Sequence, residues 1–150
     1  LNFIENKCED IPLLEHMVSR LDISDVDFQL QMKLFINSVD TNHLKYILEI
    51  KGLHIGKCLI KYKQRGYFLS FDTFLQIMKH PNIKIDSKLL YILIEHELLL
   101  DMISIQLYIW DNYISLLTDI DTIIECACKS NNKKLLAKIF SNEKIRNKYL

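Results

Sequence analysis

The sequence predicts a single all-α domain, and three observations carry that prediction. Of its 150 residues, 49 % are apolar, enough at this length to bury a sizeable core and to offset the ordering entropy that keeps polar chains disordered. Only 3 Gly and 2 Pro occur, too few for the frequent turns and close backbone approaches of sandwiches, barrels or Gly-rich phosphate loops. Apolar residues recur with the helical period between capping residues, and the connections are short. The expected architecture is a stack of helical hairpins, a HEAT- or armadillo-like superhelix ending in a small bundle. No strict sequence period is found, so any repetition is architectural.

The elements follow in order. A first helix is expected from about Ile11 to Leu21, with Pro12 tolerated in its first turn. Ser24 and Asp27 open a second, with Phe28, Met32, Phe35 and Ile36 along one stripe. Thr41 caps a third, Leu44 to Lys51, which Gly52 ends in the left-handed conformation that costs glycine least. A fourth covers Ile55 to Gln64 and stops at Gly66 in the same way. Ser70 opens a fifth that Pro81 terminates, since the residue before proline is pushed out of the helical region. Asp86 caps a sixth, with Leu89, Leu90, Leu93 and Ile94 followed by Leu98. The next, roughly Asp101 to Leu117, is apolar almost all round, as expected of a helix in the middle of a bundle. Two more, Ile120 to Cys128 and Lys133 to Phe140, flank the turn Ser130-Asn131-Asn132, and a Lys-rich end follows.

Nineteen basic residues balance nineteen acidic ones, which argues against a nucleic-acid binder held by bulk charge. The balance is uneven along the chain. Between Lys88 and Lys129 no Lys or Arg occurs, while Glu95, Glu97, Asp101, Asp111, Asp119, Asp121 and Glu125 are acidic. Basic residues gather at Lys57, Lys61, Lys63 and Arg65, and again from Lys129 to Lys148. Each group is either a solvated helix face or a local contact for phosphate or an acidic partner. The longest apolar stretch, Leu89 to Ile109, is broken by Glu95, His96, Glu97 and Asp101 and is not a membrane span. The 4 cysteines, Cys8, Cys58, Cys126 and Cys128, read as reduced intracellular thiols. The chain starts at Leu1 without a cleavage signal and is expected to be a fragment of a longer protein.

Reactive constellations are weak. His96-Glu97 begins like a zinc-protease motif, but the residue one helical turn on is Leu100 and the second ligand is missing. Cys126 and Cys128 point about 200° apart on a helix and are expected to be core thiols rather than a chelating pair. No Ser or Cys sits on a Gly-lined turn with a base beside it, and the acid pairs Glu95/Glu97 and Asp119/Asp121 read as solvated. The expectation is a non-enzyme without metal or cofactor. Tyr108, Trp110 and Tyr113 share one helix, and three large rings on so short a segment cannot all point inward. Trp110 is expected in the core for the apolar area it hides, with a groove-edge anchor as the alternative.

Gly52-Leu53-His54-Ile55 leads into a helix, and Ser70-Phe71-Asp72-Thr73-Phe74-Leu75-Gln76-Ile77-Met78 and then His80-Pro81-Asn82-Ile83 follow. This order of elements resembles the core of the Iws/Spn family of transcription elongation factors. Ile11-Pro12-Leu13-Leu14 with Met17, the residues Leu30 and Leu34, the segment Leu44 to Leu53, and Asn132 to Phe140 look like its entering and closing helices. The family's Trp-Leu-x-Pro-Leu-Pro turn is absent after Ile60, its Leu-Pro pair is displaced to His80-Pro81, and Glu95 to Leu100 stands where its Ser-Gly-Ile-Gly-Arg turn borders the partner groove. The spacing is also similar to the helical region after the catalytic domain of SET-type histone H3 lysine methyltransferases, at Gln29-Leu30, Leu44-Lys45, Leu48-Glu49 and Gly52-Leu53. Both relatives share a helical module with the N-terminal domain of elongation factor S-II.

The resemblance implies a nuclear, non-catalytic interaction domain, monomeric on its own, that binds a short disordered segment of the histone chaperone Spt-six and links it to elongating RNA polymerase II. No membrane association and no strong nucleic-acid binding by the domain alone are expected. Two alternatives stay open: the regulatory helical region of a SET-type methyltransferase, and a helical-repeat scaffold unrelated to either. On helix position, the groove is expected at Leu98, Asp101, Met102, Ile105, Tyr108, Ile109, Trp110 and Tyr113, and a basic contact patch at Lys57, Lys61, Lys63 and Arg65.

Overall fold

The computed structural model describes residues 28–95 and 101–149. Within them the protein is all-α, with no strand. The expected first helix, Ile11 to Leu21, lies outside the described residues. The described residues fall into two compact units, one running through Phe68 and including Asp72–Lys84, the other made of Leu69–Phe71 and the chain from Ile85 onward.

In the first unit, α1 (Phe28–Ser38) buries Gln31, Met32, Leu34, Phe35 and Ser38 and packs against α2 (Leu44–Ile47) and α3 (Ile55–Gln64). Phe28 and Ile36 are only half-buried, so the inward stripe is rotated toward Leu34 from the one expected. The Thr41 hydroxyl donates to the Ser38 carbonyl at 2.7 Å and accepts the His43 N–H at 3.1 Å, joining the end of α1 to the start of α2. α2 stops at Ile47, short of the Lys51 expected. The Asn82 side-chain amide donates to the carbonyls of Leu48 and Ile50 at 2.8 and 2.9 Å, so acceptors that would carry the helix onward are taken from elsewhere in the chain.

α3 has the limits the sequence predicts. The Gln31 side-chain carbonyl accepts the His54 N–H ahead of it. At its other end Gly66 adopts φ +77°, its N–H donates to the Lys63 carbonyl at 2.8 Å, and the Tyr67 N–H reaches the Tyr62 carbonyl at 3.4 Å. These paired bonds form a Schellman closure, and the usual apolar contact across it is made by the rings of Tyr62 and Tyr67, 5.2 Å apart. α4 (Phe71–Lys79) ends before Pro81 as expected.

In the second unit, α5 (Ser87–Ile94) opens on Asp86, whose carboxylate accepts the Leu89 N–H at 2.9 Å. It packs on α6 (Met102–Tyr113), which tightens into a 3₁₀ turn, Ile114–Leu116, rather than continuing to Leu117. α6 is not buried all round. Met102, Ile105, Gln106, Ile109 and Trp110 face inward while Ile103 is exposed, because one apolar stripe suffices for a helix packed on α5 and on α8 (Lys133–Phe140). α7 (Ile120–Lys129) and α9 (Glu143–Tyr149) each pack on α8. The turn from α7 to α8 is a second Schellman closure, with Asn131 at φ 53° and bonds from Asn131 N–H to Cys128 and from Asn132 N–H to Ala127.

Burial uncovers a recurrence that the sequence pattern alone conceals. In α2, α4, α6 and α8 an isoleucine that is 0 % exposed is followed by a bulky apolar residue: Ile47-Leu48, Ile77-Met78, Ile109-Trp110 and Ile139-Phe140. Four residues before each isoleucine stands another buried side chain, His43, Thr73, Ile105 or Leu135. The spacing is about thirty residues each time, the length of one helix–turn–helix unit. Between these helices lie α3, α5 and α7, each buried along its own stripe. Only the isoleucine is constant; the flanking positions vary from His to Leu and from Leu to Trp, which hides the period from a motif search.

Candidate interaction surfaces

The groove expected on α6 resolves into an inner and an outer face. Met102, Ile105, Ile109 and Trp110 form the buried stripe of the helix, with Ile105 and Ile109 fully covered, so they hold the core together and line no groove. Asp101 is committed locally, its carboxylate accepting the Phe71 N–H at 2.8 Å. Tyr108 and Tyr113 remain half-exposed, their rings 6.4 Å apart, with Phe71 edge-on to Tyr108 at 6.2 Å. Burial, and then the neighbouring Tyr108, push the Tyr113 phenol up from its ordinary pKa. Leu98, and His96 of the incomplete zinc motif, lie outside the described residues.

Several acids of the Lys-free stretch find partners inside the unit. Asp111 receives Lys138 through both carboxylate oxygens at 2.8 and 2.9 Å, and Lys129 lies 3.4 Å from Glu125. Asp121 accepts the Tyr149 hydroxyl, which raises the phenol's pKa. Asp119 accepts the Thr122 hydroxyl at 2.6 Å and the Thr122 N–H at 3.2 Å, bonds that hold its carboxyl below the usual range while capping α7. Asp111, Asp119, Asp121 and Glu125 are thus each engaged in a cap, a hydrogen bond or an ion pair within the unit.

Behind this face sits a polar knot. Gln106 and Asn132 are buried, and the Asn132 amide donates to the Gln106 side-chain oxygen at 3.0 Å and to the Ile103 carbonyl at 3.3 Å. The Ser130 hydroxyl donates to the same Gln106 oxygen at 3.0 Å, and the Gln106 amide reaches the Cys126 carbonyl at 3.4 Å. These groups satisfy one another and fix the α7–α8 turn against α6. They hold no reactive geometry.

The basic patch falls on α3. Ile55, Cys58, Leu59 and Tyr62 face inward, leaving Lys57, Ile60, Lys61 and Gln64 on the opposite stripe, with Lys63 and Arg65 toward the helix end. The Lys57 ammonium lies 5.3 Å from the centre of the Phe28 ring. Ile60, Tyr67 and Phe68 are exposed. Sequence reasoning found the cations but missed these apolar neighbours. The available signal was an aromatic pair directly after a helix-ending glycine, in a stretch from Ile50 to Phe71 without a single acid.

Burial pushes the Cys58 thiol up to about 12, which leaves it protonated and unreactive. Tyr62 is also raised to about 12, by burial first, then by the Asp40 charge and by Tyr67, and its hydroxyl donates to the Phe68 carbonyl at 2.8 Å. The two cysteines expected in the core are not there: Cys128 is exposed and Cys126 half-buried, because the inward position between them belongs to Ala127. Among the described residues no group of three or more His, Cys, Asp or Glu could hold a metal ion, and no helix is long and apolar enough to cross a membrane. The chain matches no protein-family model, no curated protein and no solved structure.

Proposed function

We propose that the protein is a non-catalytic helical interaction module that binds a short, otherwise unstructured segment of a protein partner. The observation that carries this reading is the buried signature recurring through α2, α4, α6 and α8. Helical hairpins repeated at about this length bury their apolar faces on their neighbours and leave a continuous outer surface free, and such arrays act chiefly by binding. The buried polar groups support the same reading, since Gln31, Gln106, Asn132 and Thr73 are all spent on holding helix ends and turns.

The resemblance to Iws/Spn factors supplies the most concrete partner, a segment of the Spt-six chaperone coupled to RNA polymerase II in the nucleus, and with it the superhelical stack of hairpins. Isothermal titration of the chain with chaperone-derived peptides tests the assignment. Heat together with backbone amide shifts supports it, whereas no heat and no shifted resonance removes the elongation-factor role. The recurrence equally favours a second reading, a helical-repeat scaffold outside that family, for which the chaperone peptides are silent and native-state hydrogen exchange is graded from hairpin to hairpin.

A further inference from the structure

We draw no further inference here: the strongest candidate, the half-exposed aromatic shelf that Phe71, Tyr108 and Tyr113 form on the outer side of α6, is an apolar face for which nothing in the structure shows what covers it.

Discussion

Replacing Asn132 by alanine should destabilise the second unit by about 3 kcal/mol. Its amide donates to Gln106 and Ile103 and its oxygen accepts the Leu135 N–H at 3.1 Å, while the side chain is 1 % exposed. Loss of the cap at the start of α8 costs about 1 kcal/mol. The two amide bonds are worth about 1 kcal/mol each when their loss leaves a buried acceptor short of a partner. Asn132→Ser keeps an oxygen for Leu135 and abandons the rest, so it should cost about 2 kcal/mol. A double-mutant cycle with Gln106→Ala should return a coupling of about 1 kcal/mol, because the two side chains share a bond. The single tryptophan makes the assay direct, since Trp110 is buried in the same unit and its fluorescence in urea reports that unit's unfolding. A loss under about 1 kcal/mol for the alanine variant, or equal losses for alanine and serine, would refute the account of the polar knot.

Other expectations follow from the same contacts. Ile109→Ala should cost about 3 kcal/mol and Tyr108→Ala about 1 kcal/mol, because the first is fully covered and the second half-exposed; reversed costs in urea melts would show that the inner and outer faces of α6 are misassigned. Gly66→Ala should lower stability by about 1 kcal/mol through strain alone, since φ is +77° and a Cβ there meets nothing within 4 Å; an unchanged thermal midpoint would contradict the Schellman closure. Stability should be complete below about pH 9 and decline toward pH 12, because the unfolded chain releases the Cys58 and Tyr62 protons from pKa values of 9.0 and 10.0 while the folded chain keeps both until about 12. The thiol contributes a slope of at most about 1.4 kcal/mol per pH unit, which Cys58→Ala should flatten in urea midpoints measured from about pH 8 upward.

Much of the local structure is legible in the chain. α3 begins at Ile55 and ends at Gln64 as the sequence predicts, and Gly66 takes the positive φ expected of the glycine that ends it; Gly52 also has a positive φ, but in a turn beyond the end of α2 at Ile47. Asp86 caps α5 and Asn132 opens α8, each through its own side chain. Those features depend on a few adjacent residues. The groove was not legible, since counting apolar residues along Asp101 to Tyr113 marks a helix without saying which side its neighbours cover. Nor were the acids, which are uniform along the sequence yet paired one by one with Lys138, Lys129, Tyr149 and Thr122. The exposed Phe68 escaped notice for the opposite reason, as an aromatic residue is buried by default until its surroundings show otherwise.

The sequence by itself determined the all-α class, most helix limits and the location of the basic helix. Helical period, capping oxygens and glycine conformations act over a handful of consecutive residues. Tertiary structure alone decided that α2 halts at Ile47 under the Asn82 amide, that Trp110 and Ile109 turn inward while Tyr108 does not, and that Ile60, Tyr67 and Phe68 stay in water. Each of those outcomes depends on groups far apart in the chain competing for the same carbonyl or the same apolar contact, and only packing settles which of them wins.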